Sequence, residues 1–372
     1  MLRVLHGPVN VGNHPWVLSR HERRLGIHSD LVINYSTWLG YSADRCLKDA
    51  SQGAIRNAAR HWLFALSAPF RYDVLHYYFG QSFLSWNNST RCRQLFSFAD
   101  LKLARRLGRK IFMTLQGCDV RLSDRSAARN AFTPCHQGRC QAVPVCRASL
   151  DRRRRHLIEH ILPAVDRVFV LNPELYHYVP GSVFLPYASV DVEAFIPAWP
   201  KEGGTAVVLH APTDESIKGS GLIIEAVERL KKRIPLEFVL VKGVSHQEAL
   251  ALYRRADLVI DQVLAGWYGG FAVEAMAMGK PVACYIRQED LGCVPPAMRA
   301  ELPVIRLTPA TVEADLEAAL LQRDRWPQWG RRARDFVLRW HHPRGLAAAM
   351  IAAYQDPGSH FDLNGGQASC AA

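Results

Sequence analysis

A lysine and a glycine side by side at the start of a helix can bind phosphate, and this chain has such a pair after a predicted strand. Lys218 and Gly219 follow the strand that ends at residue 210. Strand–loop–helix junctions at the carboxyl edge of a parallel sheet bind ligands, and a helix N-terminus offers free N–H groups to an anion. Lys218 adds a mobile positive charge, although an ordinary solvated lysine has the same sequence appearance.

A second glycine-rich junction follows later in the chain. Gly269 and Gly270 lead into a predicted helix, and glycine lets the backbone approach a ligand closely. The backbone N–H groups of Phe271 and Ala272 extend this helix start. Glu274 lies one turn further, where a carboxylate can accept hydrogen bonds from two ribose hydroxyls. The alternative for Glu274 is a carboxylate that merely stabilises the positive end of a helix.

Candidates in the first half lie after predicted strands. The backbone of Gly12 and Asn13 can face a phosphate across a cleft, or it forms a simple turn. Asp119 and Arg121 follow a strand end, where they position an acceptor or pair with each other. His76 also ends a strand, and it either faces the acceptor side or is a core histidine with satisfied hydrogen bonds.

Several aromatic side chains follow the same strand as His76. They form part of the core, or they form an apolar lip for a lipid-linked acceptor. The residues are Tyr77, Tyr78, Phe79, Phe83 and Trp86.

Periodicity predicts strands that alternate with helices in two consecutive α/β sets. The first set has strands at 3–6, 28–33, 73–77, 110–115 and 167–171, with helices at 15–25 and 98–107. The second has strands at 206–210, 237–241, 258–261 and 282–285, with helices at 221–232, 246–255, 272–278, 329–340 and 345–354. The predicted fold is two Rossmann-like domains that face a central cleft.

Three stretches resemble motifs of the retaining glycosyltransferases of the GT-B fold, the large family 4-type group (glycosyl transferases group 1). They are the signature helix, AVEAMAMGKPV at 272–282; the diphosphate-binding loop, HAP at 210–212 followed by Lys218 and Gly219; and the interdomain segment, LPYASVD at 185–191. The resemblance is specific over residues 165–290 and concerns layout alone over residues 1–120.

The resemblance implies roles for these residues. Glu274 would bind the ribose of a nucleoside-diphosphate sugar, and Lys218 would bind the diphosphate within the loop that begins at His210 and ends at Gly219. The backbone of residues 269–272 would face the donor sugar and its phosphate. The resemblance also implies retention of anomeric configuration, no metal cofactor, and a leaving phosphate that takes the acceptor proton.

Two positions depart from that family. The family often has a glutamate eight positions before the one corresponding to Glu274, and here that position is Gly266. It often has a histidine after the strand corresponding to residues 110–115, and here that position is Gln116. We therefore predict Lys218, Gln116 and Asp119 as catalytic residues.

The predicted activity is transfer of a sugar from a nucleoside-diphosphate sugar to an acceptor hydroxyl, on a polysaccharide or lipid-linked glycan precursor. One alternative is a GT-B sugar-nucleotide epimerase, which needs acid/base carboxylates in the cleft. The other is a non-catalytic protein that binds nucleotide sugar or an anionic polymer. No nucleic-acid-binding motif is recognisable, so nucleic acid is not a predicted partner.

Prolines at 180, 186, 197 and 200 mark the joint between the two α/β sets. We predict an acceptor-side domain at residues 1–178 and a nucleotide-sugar-binding domain at 179–340. A closing helix at 341–356 would pack back on the first domain, and a disordered tail would follow at 357–372.

Charge is distributed unevenly: residues 1–180 contain 26 Lys+Arg and 12 Asp+Glu, whereas residues 181–372 contain 20 and 22. The excess predicts an anionic partner for the first domain, such as a membrane surface, although a solvated basic face is the plain alternative. The N-terminus begins directly with a strand and not with a signal peptide, which predicts a cytoplasmic protein. The basic excess further predicts that it is peripheral on the inner face of the membrane. Cysteines at 118, 135, 140 and 146 either form a metal site or are reduced thiols.

Overall fold

Two parallel sheets organise the protein, and the first includes seven strands of the described part of the chain. The computed structural model describes residues 1–85, 96–201 and 203–363. The strands are β1 (Arg3–Gly7), β2 (His28–Ile33), β3 (Arg45–Cys46), β4 (Val74–Tyr78), β5 (Lys110–Leu115), β6 (Arg167–Val170) and β7 (Val183–Phe184). Their order is β3-β2-β1-β4-β5-β6-β7, with every pair parallel. Near-continuous apolar runs such as IFMTL in β5 are typical of strands covered on both faces.

The second sheet has the order β12-β11-β10-β8-β9, again with every pair parallel. Its strands are β8 (Ala206–His210), β9 (Leu236–Leu240), β10 (Leu258–Ile260), β11 (Val282–Cys284) and β12 (Ile305–Arg306). The predicted α/β class with two Rossmann-like domains is confirmed.

Helices of the first domain cover both faces of its sheet. They are α1 (His14–Arg24), α2 (Ala54–Arg71), α3 (Ala99–Arg106), α4 (Ser123–Arg129), α5 (Val143–Val145) and α6 (Asp151–His156). Two π-helical turns, Cys146–Leu150 and Leu157–Ile161, make α5 and α6 parts of one helical stretch. Short 3₁₀ turns follow at Leu162–Ala164 and Pro173–His177.

Helices of the second domain begin with clear local signals. Ser245 and Glu248, for example, form a capping box at the start of α9. The helices are α7 (Glu215–Lys218), α8 (Ser220–Leu230), α9 (His246–Arg255), α10 (Gly270–Ala277), α11 (Pro296–Glu301), α12 (Val312–Leu321), α13 (Trp326–Trp340) and α14 (Pro343–Gln355), with 3₁₀ turns at Gln288–Cys293 and Arg323–Arg325.

The end of the chain packs on the first domain. Helix α14 lies against α1, and the Phe361 ring lies 5.0 Å from the Phe169 ring of β6. Residues 357–363 of the predicted disordered tail therefore contact the first domain, and residues 364–372 lie outside the described residues. The first sheet also continues to Phe184, beyond the boundary predicted at residue 178.

The structure decides between the two alternatives for three of the aromatic residues. Tyr77, Tyr78 and Phe83 are fully buried in the first domain, so these three belong to the core and not to a lip. Phe79 is half-buried, and Trp86 lies outside the described residues. Helix α2 was not predicted, because no side chain caps its start and Pro69 interrupts its last turn.

Candidate functional site

The loop between β10 and α10 is held by one buried side chain. Gln262 Oε1 accepts the N–H groups of Leu264 at 2.9 Å and Ala265 at 2.5 Å. Its Nε2 donates to the Trp267 carbonyl at 2.5 Å. This loop ends at Gly269, which has extended backbone and no side chain that caps α10. The first N–H groups of α10 are therefore oriented to bind an anion.

Lys218 lies beside this helix start. Its Nζ donates to Asp261 Oδ1 at 2.6 Å, and Asp261 Oδ2 accepts the Gly269 N–H at 2.6 Å. Asp261 is fully buried, whereas the Lys218 side chain keeps 17% of its surface exposed. A single carboxylate thus positions both a solvent-accessible ammonium group and the N-terminus of α10.

Gly219 is required by both backbone and packing. Its φ of +76° is left-handed, and a Cβ there would lie 2.7 Å from Val263 Cγ2. Any larger residue would push the loop of Lys218 away from the residues that follow β10. The close approach of these two loops is what brings Lys218 to Asp261.

His210 lies beneath this junction and does not contact the ligand side. Its buried ring makes hydrogen bonds between Nδ1 and the Ile260 carbonyl, 2.8 Å, and between Nε2 and Ser220 Oγ, 2.7 Å. Burial lowers the pKa of His210 to about 4, so the ring is neutral near pH 7. The predicted donor contact by His210 is thus corrected: the ring connects α8 to β10.

Glu274 is buried one turn into α10, where its carboxylate meets a histidine. His246 Nε2 donates to Glu274 Oε1 at 2.7 Å, and the Tyr41 ring of the first domain lies 5.0 Å from the His246 ring. Burial raises the pKa of Glu274, although His246 opposes that rise. Burial alone would lower the pKa of His246, but the bond to Glu274 outweighs it and raises the pKa. Any further hydrogen-bond donor to Glu274 must therefore share the carboxylate with His246 or displace His246.

The turn before α1 reaches the second domain. Gly12 and Asn13 have left-handed φ values of 63° and 60°, and Asn13 Nδ2 donates to the Ser189 carbonyl at 3.4 Å. A Cβ at Gly270 would lie 3.6 Å from Ser189 Oγ and 4.0 Å from the Gly12 carbonyl oxygen. The structure therefore brings the predicted residues Gly12, Asn13 and Gly270 together at the start of α10.

Ser189 is a candidate that the sequence did not reveal as a site residue. It is buried, and its hydroxyl has no hydrogen-bond partner within the described residues. Buried hydroxyls are nearly always bonded. Because Ser189 Oγ lies against Gly270, it can donate to a ligand oxygen at the N-terminus of α10.

The side chains of Phe271 and Ala272, two residues predicted to contribute backbone to the site, hold α10 in place. The Phe271 ring lies 4.7 Å from the Tyr253 ring of α9, and Ala272 is fully buried. Both residues therefore fix the first turn of α10 against its surroundings.

Gln116 and Asp119 belong to the loop after β5. Asp119 accepts the N–H groups of Gln116 at 2.8 Å and Gly117 at 2.6 Å, while Gln116 Nε2 donates to the Val11 carbonyl at 3.3 Å. Burial raises the pKa of Asp119, although these backbone donors oppose the rise. Asp119 thus shapes its own loop, and Gln116 connects that loop to the turn of Gly12.

Arg121 pairs with Glu174 and not with Asp119. Its NH2 lies 3.0 Å from Glu174 Oε2, with both side chains buried. Arg287, from the second domain after β11, lies 3.7 Å from the same carboxylate and 2.8 Å from Asp290. Burial favours the neutral acid, but Arg121 and Arg287 outweigh it and hold the pKa of Glu174 below its ordinary value. The predicted acceptor role of Arg121 is corrected to a buried ion network between the domains.

Arg287 also explains Gly266. A Cβ at Gly266, whose φ is +77°, would lie 2.8 Å from Arg287 NH1. The position at which the resembling family often has a glutamate is thus filled by a guanidinium from the next strand end. The geometry excludes a side chain there without displacement of Arg287.

His76 lies in the core. Its Nδ1 is 2.7 Å from the Tyr354 hydroxyl and its Nε2 is 2.7 Å from Thr114 Oγ1, and the ring is fully buried. The structure therefore corrects the predicted acceptor-side position of His76, and its hydrogen bond to Tyr354 joins α14 to the first sheet.

Asp261, His246, Ser189, Glu174 and Arg287 were all missed as site residues. Asp261 and Arg287 follow β10 and β11, so their place after a strand was a signal that the sequence did contain. The neighbour of Ser189 and the partners of Glu174 and His246 come from distant segments, which periodicity does not reveal.

The four crowded cysteines are free thiols. Within the described part of the chain, no group of three or more His, Cys, Asp or Glu side chains is arranged to hold a metal ion. Burial raises the pKa of Cys118 and of Cys135, although Arg121 opposes both shifts. Neither thiol is thus predisposed to be a thiolate.

Known folds resemble this chain over nearly its whole length. A glycosyltransferase from Rickettsia africae aligns with a TM-score of 0.58 and 13% identity over 95% of this chain and 98% of that one. Sucrose-phosphate synthase from Thermosynechococcus elongatus aligns with a TM-score of 0.56 and 13% identity over 96% and 99%. UDP-GlcNAc 2-epimerase from Neisseria meningitidis, bound to UDP-GlcNAc, aligns with a TM-score of 0.50 and 12% identity over 95% and 99%.

At such low identity these likenesses establish the fold, which is that of GT-B enzymes. No protein-family model matches the sequence, and no curated protein matches it. In the described residues, no helix combines the length and apolar character that crossing a membrane requires.

Proposed function

We propose that this chain is a glycosyltransferase that moves a sugar from a nucleoside-diphosphate sugar to an acceptor hydroxyl, with retention of configuration. The observation that carries the proposal is the convergence at the start of α10: the ammonium of Lys218, the uncapped N–H groups after Gly269 and the unpartnered hydroxyl of Ser189. All three are donors that suit the oxygens of a diphosphate.

The chemistry follows from where negative charge develops. When the bond between the anomeric carbon and the diphosphate breaks, the leaving oxygen gains charge. Lys218 and the α10 N–H groups are already oriented by Asp261, so they stabilise that charge without reorganisation. The acceptor proton passes to the leaving phosphate as the new glycosidic bond forms.

The acceptor in this proposal is a glycan or lipid-linked precursor, and the donor is a UDP-sugar. The support for uridine is a structural neighbour that binds UDP-GlcNAc on the same fold. The proposed partners are therefore a nucleotide sugar, a glycan acceptor and an anionic membrane surface.

The structural neighbour that binds UDP-GlcNAc also supports the epimerase alternative. The hydrogen bonds and ion pairs of the buried carboxylates argue against it. An epimerase needs acid/base carboxylates in the cleft. Asp119 is bonded to backbone N–H groups, Glu174 to Arg121, and Asp261 to Lys218. Each of these carboxylates already holds protein groups in place.

The deciding experiment incubates the purified chain with a panel of nucleotide sugars, with and without glycan and polyprenyl-linked acceptors. We expect a glycosylated product by mass spectrometry only when both substrates are present, with the donor's anomeric configuration retained by NMR. Conversion of the donor sugar in the absence of any acceptor would instead establish the epimerase. Calorimetry that detects no binding of UDP, GDP or ADP would contradict both.

A further inference from the structure

Helix α2 exposes an apolar face. The α2 face comprises Ile55, Leu63, Leu66 and Phe70, which are 86%, 71%, 40% and 64% exposed. Their spacing of three, four or eight residues places them along one side of an 18-residue helix, which is about 27 Å long. The opposite side, with Phe64, Ala65 and Ala68, is buried in the first domain. The helix is therefore apolar on two sides, and packing among residues 1–85, 96–201 and 203–363 covers only one of them.

Basic side chains lie on α2 and on the helix beside it, although one of them, Arg60, pairs with Asp49. The helix contains Arg56, Arg60 and Arg71 and has no acidic residue. Helix α3 packs beside it and exposes Lys102 and Arg106.

The basic surface continues past α3. Lys102 acts electrostatically on His156, at the end of α6, and α6 exposes Arg152. The apolar face of α2 and a row of basic side chains on α3 and α6 thus belong to neighbouring helices of the first domain.

We infer that the α2 face docks on a bilayer with anionic headgroups. An interfacial helix buries its apolar side chains at the boundary of the acyl chains while flanking arginines contact the headgroups. Basic side chains near such a surface are attracted within a Debye length. Docking would bring the first domain to a lipid-linked acceptor; that benefit rests on the proposed function, whereas the docking itself does not.

Charge favours a bilayer over a second copy of the chain. Two α2 faces in contact would bring the arginines of both copies together, and like charges across an interface are unfavourable. Anionic lipid instead neutralises Arg56 and Arg71 while it covers Leu63 and Phe70.

Vesicle co-sedimentation of the full chain tests the inference. The vesicles are phosphatidylcholine alone, or equal parts of phosphatidylcholine and phosphatidylglycerol. Wild type should bind the anionic vesicles more strongly, and added salt should weaken binding. The double variant Leu63→Ser, Phe70→Ser should bind about tenfold or more weakly, because two apolar side chains no longer enter the interface.

Leu321→Ser is the matched control, because Leu321 is 72% exposed but lies at the end of α12 in the second domain. It should bind vesicles like wild type.

Equal vesicle binding by the double variant and wild type would overturn the inference, as would wild type that stays in the supernatant with anionic vesicles at low salt. A dimer in light scattering that the double variant dissociates would assign the face to a second copy. Calorimetry with UDP on the same variants reports the donor site separately, so failure of one proposal does not imply failure of the other.

Discussion

The two sheets present their carboxyl edges to the same cleft, yet they use their polar residues differently. Beside the start of α10, Lys218 of the second domain and Ser189 of the segment that follows β7 place donor groups that can face a ligand. At the edge of the first sheet, Asp119 and Arg121 are buried and fully engaged with protein groups. Polar residues after a strand are therefore not equivalent: the proposed function uses those beside the start of α10, whereas Arg121 and its partners hold the two domains together.

The largest expected effect is on stability and concerns Arg121, which pairs with Glu174 after the first sheet. Arg121→Ala leaves Glu174 buried with Arg287 as its nearest cation, and breaking a buried ion pair costs about 3–5 kcal/mol. We expect the free energy of unfolding, measured in urea, to fall by that amount.

Arg105→Ala is the control for Arg121, because it removes an exposed pair with Asp166 and should cost about 0–1 kcal/mol. If Arg121→Ala kept its stability while the KM for the acceptor rose, Arg121 would instead be an acceptor residue, and the contrast between the two edges would fail.

The next effect is on turnover and concerns Lys218, which lies beside the start of α10. Lys218→Ala removes the cation beside α10, so turnover should fall by about two to three orders of magnitude, the cost of one lost stabiliser of developing charge. Lys242→Ala removes an exposed lysine that pairs with Glu215 at 2.8 Å and should keep wild-type turnover. A folded Lys218→Ala enzyme with unchanged kcat would exclude that role.

The sequence predicted the fold more fully than the site. Strands at 110–115 and 206–210 and the helix at 246–255 match the structure residue for residue, because apolar runs and caps are local signals. Helix α2 was not predicted, because it has apolar residues on both its buried and its exposed side. In addition, no side chain caps its start.

Positions that depend on backbone geometry are easier to predict from the sequence than those that depend on side-chain partners. Gly12 and Gly270, both predicted as site residues, lie close together in the structure. His210 ends β8 as predicted, whereas His76 is the central residue of β4 and not its end. Both rings point into the core, where distant partners satisfy them. Sequence spacing gives the strand end and not the direction of the side chain.

Glu274 gives a smaller expected effect. Glu274→Gln keeps the shape of the side chain but removes the charge that His246 and a ribose hydroxyl would share. UDP affinity measured by calorimetry should weaken by roughly 1–3 kcal/mol, the range for hydrogen bonds with a charged partner. Glu225→Gln, on the exposed side of α8, serves as the control and should leave affinity unchanged. Equal affinity in both variants would remove Glu274 from the site.

The Glu274–His246 pair also predicts a pH dependence. Because the pKa of His246 is raised in the folded protein, protonated His246 stabilises the fold below its ordinary pKa of about 6.5. That contribution is lost as pH rises through the raised value. His246→Gln should therefore cost about 1.5 kcal/mol of unfolding free energy at mildly acidic pH and less at alkaline pH. A difference in stability that grows with pH would contradict this assignment.

The smallest expected effect distinguishes most directly between a side chain that binds the ligand and one that stabilises the fold. Ser189 has a buried hydroxyl without a partner within the described residues, so Ser189→Ala removes no protein hydrogen bond and should leave the free energy of unfolding unchanged or slightly higher. UDP binding should nevertheless weaken by about 1 kcal/mol, the net value of one hydrogen bond. Ser126→Ala is the opposite case, because Ser126 Oγ is buried and bonded to Thr133 Oγ1 at 2.8 Å; it should lose stability and keep UDP affinity. If Ser189→Ala lost stability while UDP affinity stayed the same, Ser189 would belong with the structural residues of the first edge, and Lys218 and the α10 backbone would be the remaining donors to the diphosphate.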